Sequence, residues 1–453
     1  MSIIQRVLIC FMLLILAACS EMAANELDTS VIPKAGETLY VVTRMGGTTY
    51  FEGRDQAPAG PEVLLINRLA QEYDWNVMWV VKNSTAEVLE ALEQGLAHIA
   101  AAGLTHNKTR DEKFTRGATH IKVTEQVICP QKLENSPKTP EDLGMIQLVV
   151  AARTSYVNTL ESLKQKHPGL KFTQSEEEST EMLLARATED RICVVSDSNI
   201  ANKSRRLFPL LRVAMTLPGK SQLGWYLPKK ASKLADLTRS WAKSSKGQVA
   251  IDLMYQRHYE YLNNFDFVDL RALSRRIDER LPKYKEYFIE AEEKTGIPAD
   301  LLAALSYQES HWNPKAVSPT GVRGIMMLTR NTAKSLGVDD RHDPKMAILG
   351  GADYLKDRFD RLPDSIPEED RWFQALASYN IGRAHLLDVR LLARRMGKNP
   401  DSWQQIKELL PLKSNKKYYS KMKHGYARGH EPVLYVQRIR NYRDVIRESF
   451  NEG

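Results

Sequence analysis

A chain of 453 residues is longer than one ordinary domain needs. Its 26% charged and 43% hydrophobic residues describe a soluble globular chain, and the absence of internal repeats or low-complexity runs excludes a solenoid or a fibrous polymer. The formal charge of +8 is unevenly placed: residues 19–266 carry 30 basic and 30 acidic residues, residues 267–453 carry 33 and 26, and Arg6 supplies the remainder.

Residues 1–18 hold Arg6, no acids and an apolar run from Val7 to Leu16. That run is short for a membrane span and predicts a signal peptide. It ends Leu16-Ala17-Ala18-Cys19, which resembles the bacterial lipoprotein box. The resemblance implies cleavage before Cys19 and its lipidation, and several acyl chains make a stable anchor. Ser20 in place of Asp implies the periplasmic face of the outer membrane. The alternative is plain secretion without lipid. Residues 19–36 are small and polar and predict a tether.

From Leu39 the pattern alternates strand and helix. Strands are expected at 39–43, 77–81 and 99–102, with helices at 61–73 and 85–94. A second set follows, with strands at 127–130, 147–151, 192–196 and 223–227 and helices at 156–165, 180–188 and 233–244. This predicts an α/β domain over 37–266 with mainly parallel sheets in two lobes. Cys129 and Cys193 stand in apolar, strand-like contexts. They are either a disulfide or two buried thiols. No CxxC, His-x-x-x-His or Asp-rich loop suggests a metal site.

Ala102-Gly103-Leu104-Thr105-His106-Asn107-Lys108-Thr109-Arg110, followed by Phe114, resembles the Gly-x-Thr-x(4)-Arg stretch of family 3 solute-binding domains. That resemblance implies that Thr105 and Arg110 hold a ligand α-carboxylate, for which Arg offers a planar fork. It also implies that Asp197, just past a predicted strand, takes the α-ammonium. The alternative is a surface ion pair of Arg110 with Asp111 or Glu112, with Asp197 capping the next turn.

Residues 267–453 show no strand-rich pattern. Helices are expected at 284–294, 299–310, 329–336, 345–360, 372–379 and 437–448, with a small Gly- and Ser-bearing hairpin at 316–328. In the second of these helices, Leu301, Leu305 and Glu309 follow at i, i+4 and i+8. The Glu309 carboxyl therefore points with the apolar face, at the negative end of the helix dipole. Both circumstances disfavour its anion. A carboxyl kept protonated near neutral pH is what glycosidic cleavage requires. The alternative for Glu309 alone is a solvated residue at a helix end.

The surrounding boxes bear on that choice. They are Glu309-Ser310, Gly321-Val322-Arg323-Gly324-Ile325-Met326-Met327, Ala377-Ser378-Tyr379-Asn380-Ile381-Gly382 and Glu431 to Val436 with Tyr435. Together they resemble the goose-type-lysozyme-like lytic transglycosylases of bacterial cell walls. Two positions depart from that pattern: Met327 stands where most relatives carry Gln, and Ala347 where many carry Asn. The resemblance implies a mainly α, lysozyme-like domain over 267–453. It makes Glu309 the catalytic acid and places Ser310, Met326, Tyr379, Asn380 and Tyr435 around the sugar. Asp353 and Asp357 read as ordinary surface acids, so one acid is expected to serve, with no cofactor.

The fused α/β and lysozyme-like halves resemble the membrane-bound type F transglycosylases. The resemblance implies a lyase that cleaves the MurNAc-β-1,4-GlcNAc bond of peptidoglycan and leaves 1,6-anhydro ends. It further implies regulation by a muropeptide, peptide or amino acid in the first half. The alternatives are a lysozyme-like muramidase and a periplasmic peptide sensor that docks on the wall. The stretch with Lys413, Lys416, Lys417, Lys421, Lys423 and Arg428 interleaved with Tyr418, Tyr419 and Tyr426 reads either as a contact for a polyanionic wall polymer or as a solvated basic face. With an export signal, nucleic acid is not the expected partner.

Overall fold

The computed structural model describes residues 28–52, 57–260, 267–318 and 321–451. The signal segment, Cys19 and most of the tether lie outside the described residues. Among those described, no helix is long and apolar enough to cross a membrane. The chain divides into two compact units, Met1–His258 and Tyr259–Gly453.

The first unit holds strands β1 (Thr38–Arg44), β2 (Phe51–Glu52), β3 (Pro58–Ala59), β4 (Asn76–Lys82), β5 (Ile99–Thr105) and β6 (Phe114–Val123), and then β7 (Glu125–Pro130), β8 (Leu148–Ala151), β9 (Thr173–Ser175), β10 (Cys193–Asp197), β11 (Leu211–Thr216) and β12 (Ser221–Pro228). They form two five-stranded sheets, ordered β4-β1-β5-β12-β6 and β11-β7-β10-β8-β9. Four strands of each sheet share a direction. The reversed ones are β12 in the first and β7 in the second. Those are the strands entered after the chain crosses between lobes, from β6 into β7 and from β11 back into β12.

Strands β2, β3, β6, β9 and β11 lie outside the sequence expectation. In β6 the burial pattern is irregular because its pairing with β12 shifts register near Gly224. A strict two-residue alternation therefore never develops. Cys129 on β7 and Cys193 on β10 form a disulfide. The pair of residues beside them, Ile128 and Val194, are in register. Strand pairing settles what sequence distance left open.

The second unit is helical: Phe267–Glu279, Lys285–Thr295, Ala299–Ser310, Arg330–Ser335, Pro344–Asp360, Glu368–Ile381, Arg383–Arg395, Trp403–Leu409 and Glu431–Ile446 are its main elements. Leu302, Ala303, Leu305, Phe288, Ala347, Leu376 and Ile439 meet in one core. The last helix begins six residues before the expected 437, since Pro432 sits in its first turn, where a missing N–H is harmless. The described part of the expected hairpin, 316–318 and 321–328, is bridged at Val317–Arg323 and Arg323–Leu328. Gly324 has φ +87°, and a Cβ there would lie 1.8 Å from the Arg341 carbonyl oxygen, so this turn requires glycine.

Candidate active site

The helix Ala299–Ser310 has the bounds its sequence predicts. Glu292 accepts a hydrogen bond from Ala299 N at 3.0 Å, which satisfies one free donor of the first turn. Asp300 is fully buried, and its carboxylate accepts from Arg443 Nε at 3.0 Å and Arg447 Nε at 3.1 Å. At the other end of the same helix, Glu309 Oε1 accepts a hydrogen bond from Tyr435 Oη. Arg443 and Tyr435 belong to one helix, so the two helices run antiparallel and are clamped at both ends. The four-residue spacing of Tyr435, Ile439 and Arg443 puts them on one helix face, but their partners Glu309 and Asp300 do not follow from it.

The chain leaves Ser310 through two left-handed residues, His311 (φ 53°) and Trp312 (φ 56°). That conformation is unfavourable for residues other than glycine. Trp312 compensates by burying its ring, donating from Nε1 to Ala303 O at 2.9 Å and meeting Tyr307 edge-on. Arg280 donates to His311 O at 2.9 Å. The turn folds back along the helix and holds the last turn, with Glu309, in place.

Burial pushes the Glu309 carboxyl up to about 7, and the Tyr435 hydrogen bond works against that rise by favouring the anion. The helix C-terminus acts in the same sense as burial. The residue still keeps part of its surface open to solvent. Protein atoms surround the carboxyl closely enough to desolvate it, yet it remains reachable. Among the described residues, burial is the one cause of the rise. Asp353 is engaged by Lys294 at 2.7 Å and Asp357 by Arg361 at 2.5 Å.

Ser310 donates from Oγ to Ile325 O at 2.8 Å, and Ser306 reaches the same carbonyl at 3.1 Å. These hydroxyls pin the hairpin to the acid's helix. Tyr379 donates to Met326 O at 3.0 Å and ties the hairpin to a third helix. The Met326 side chain is buried and packs on Gly351, so it belongs to the core. Tyr379 meets Tyr354 edge-on. Asn380 is exposed at the end of its helix. Met327 has φ 48° and closes the hairpin turn through its N–H to Gly324 O at 3.1 Å. Lys413 does not share the surface with the other lysines of its stretch. It is fully buried and pairs with Asp388 at 2.8 Å, a partner far enough along the chain that a charge count misses it.

In the first unit, Thr105, Arg110 and Asp197 line one narrow cleft between the lobes, together with Arg44, Tyr156 and Thr180. The cleft holds about 290 Å³ of empty space, little of it wide enough for water. Arg110 is buried and donates to Thr105 O at 2.9 Å and to Arg153 O at 2.8 Å. Asp111 pairs with Arg116 instead. Asp197 begins the helix Ser198–Leu207 without a side-chain capping bond. Its Oδ1 is buried and has no hydrogen-bond partner. Burial first, and then the nearby Glu125 carboxylate, push the Asp197 carboxyl up to about 7. Behind Thr105, the buried Glu62 accepts from Gly103 N at 2.9 Å and from Trp225 Nε1 at 2.8 Å, fixing the end of β5.

The description "Transglycosylase SLT domain" matches residues 286–401, and "Bacterial extracellular solute-binding proteins, family 3" matches residues 47–308. The second match runs past the end of the first structural unit at His258 and overlaps the other over 286–308. The chain joins an α/β, two-lobed, periplasmic-binding-protein-like domain to a mainly α, lysozyme-like domain. Membrane-bound lytic murein transglycosylase F 2 of Alkalilimnicola ehrlichii is 50% identical, over 97% of this chain and 97% of its own length. Membrane-bound lytic murein transglycosylase F of Maricaulis maris is 38% identical, over 94% of each. Among solved structures, a cysteine-binding protein from Campylobacter jejuni covers 51% of this chain and 94% of its own, at 17% identity and a TM-score of 0.44. The chain belongs to the membrane-bound lytic murein transglycosylase F family.

Proposed function

We propose that this protein is a peptidoglycan lytic transglycosylase in which Glu309 serves as both acid and base. One observation carries the reading. Glu309 is a desolvated carboxyl at a helix end, held by Tyr435, while the acids Asp353 and Asp357 are tied up by Lys294 and Arg361. Ordinary glycosidases need a second carboxylate, as nucleophile or to activate water. A single acid suffices when the substrate supplies the nucleophile.

Protonated Glu309 gives its proton to the oxygen that leaves with N-acetylglucosamine, as the bond from that oxygen to C1 of N-acetylmuramic acid breaks. The N-acetyl group stabilises the developing cation. The Glu309 carboxylate then accepts the C6 hydroxyl proton, and O6 bonds to C1. The products are a 1,6-anhydro ring and a free 4-hydroxyl, with no water consumed and the acid restored. The Tyr435 hydrogen bond steadies the carboxylate between the two transfers. Asn380, exposed at the rim, orients the acetamido group, and Tyr379 walls the groove. Ser310 and Met326 act one step back, positioning the hairpin.

The domain expected over 37–266 takes an amino acid or peptide through Thr105, Arg110 and Asp197 and regulates the domain that follows. Leu16-Ala17-Ala18-Cys19 followed by Ser20 supports signal cleavage before Cys19, lipidation there and residence on the periplasmic face of the outer membrane. Mass spectrometry of fragments released from purified sacculi tests the chemistry: 1,6-anhydromuramic ends are expected, and reducing ends would make it a hydrolase. Loss of labelled fatty acid from a Cys19→Ala variant tests the anchor.

A further inference from the structure

The cleft contains one cation more than an amino-acid head group requires. Arg110 and the unpartnered Asp197 Oδ1 complement a carboxylate and an ammonium. Arg44, at the end of β1, lines the same cleft and is almost fully buried. Among the described residues it pairs with Glu181, from the opposite lobe, whose two oxygens lie 2.9 and 2.8 Å from a single atom, Nη1. A buried guanidinium requires an anion, and a forked carboxylate is its best complement. Glu181 meets that need. It keeps some exposure itself, so it can leave towards water, whereas Arg44 cannot.

We propose that Arg44 is a second carboxylate subsite and that the cleft selects a dicarboxylic α-amino acid, whose side-chain carboxylate competes with Glu181 for Arg44. This rests on the reading that Thr105, Arg110 and Asp197 hold an amino-acid head group. Charge matching supports it. With Glu181 displaced, the cleft presents Arg44 and Arg110 against Asp197, the complement of two carboxylates and one ammonium. The exchange also breaks one contact between lobes and leaves others, among them Lys203 Nζ to Gly47 O at 2.8 Å, Arg110 Nη2 to Arg153 O at 2.8 Å and Ser155 Oγ to Thr105 Oγ1 at 3.3 Å. The lobes therefore stay engaged while the anion on Arg44 changes.

Glutamate and glutamine are nearly isosteric and differ in the group Arg44 would read. Calorimetric titration of the full chain with each is the test. Glutamate is expected to bind about 5- to 15-fold more tightly, the difference between a hydrogen bond to a charged group and one to a neutral group. Arg44→Gln should erase that preference while glutamine still binds, which also shows that the variant is folded. Glu181→Gln removes the competitor and should tighten glutamate binding without changing glutamine binding. Equal affinities in the unaltered protein would overturn the inference and leave the amino-acid cleft standing. Binding of neither would overturn both.

Discussion

Replacing Glu309 by Gln should stabilise the second unit at alkaline pH while sharply slowing cleavage. The reference value of the carboxyl is 4.5, and in the folded protein it lies at about 7. Below 4.5 the group is protonated both folded and unfolded and adds nothing. Between the two values the native state binds more protons than the unfolded state, so stability falls as pH rises. Above 7 the full cost is present: that gap, at about 1.36 kcal/mol per pH unit, is about 3 kcal/mol. Glu309 is partly open to water, and solvent screening trims this to about 2–3 kcal/mol. Gln has the size of the protonated acid, still accepts from Tyr435 and never ionises. Scanning calorimetry should therefore show Glu309→Gln close to the parent at pH 5. At pH 8 its transition should lie about 5–10 °C higher, at about 2–4 °C per kcal/mol for a unit of this size. Activity should fall by about 10²–10⁴, the usual cost of losing a general acid. An equal offset at pH 5 and pH 8 would refute the raised value, and with it the mechanism's poised acid.

Tyr435→Phe removes a donor that favours the Glu309 anion, so the alkaline limb of the pH–rate profile should move up by about 1–2 pH units, as for loss of a charged hydrogen bond. A downward move would show that Tyr435 favours the protonated form. In Gly351→Ala the new Cβ would lie 2.6 Å from Met326 Cε and 2.9 Å from Met326 Cβ. That overpacking should cost about 1–3 kcal/mol and lower activity by shifting the carbonyl that holds Tyr379. Thermal melts paired with cleavage assays check both effects. Replacing Cys129 and Cys193 together by Ala opens a loop spanning 64 residues, which should destabilise the first unit by about 4 kcal/mol. A change in the second unit's transition alone would contradict that assignment.

The acid's helix was legible because Leu301, Leu305 and Glu309 share one face and nothing interrupts them. Local spacing of this kind is visible in sequence. Strand β6 was not, because its shifted register with β12 breaks the alternation. Nor was the burial of Lys413, which depends on Asp388 from another helix. Ser310 illustrates a subtler limit. Its place beside Glu309 suggested contact with substrate, but its hydroxyl is committed to Ile325 O. A motif preserves residue identity without saying which atoms the side chain touches. The roles of Arg443 and Arg447 required knowing that the last helix lies antiparallel to the first turn of the acid's helix, at Asp300.

That antiparallel arrangement explains how a costly residue is kept in the fold. An acid held near pH 7 destabilises the native state at the pH where it must work, and a lone side chain would relieve the cost by turning towards water. Here the last turn cannot rotate. The helix is held at Asp300 by two arginines, at Ser306 and Ser310 by the hairpin, and at its end by the folded-back Trp312. Each contact is ordinary in strength, about 1–3 kcal/mol for those to charged groups. Spread over both ends of one rigid element, they offset the roughly 3 kcal/mol that the buried carboxyl costs when ionised. The geometry needed for proton transfer is thus maintained by groups that never touch the sugar, and variants of Asp300, Ser306 or Trp312 should reduce the rate by letting Glu309 reach water.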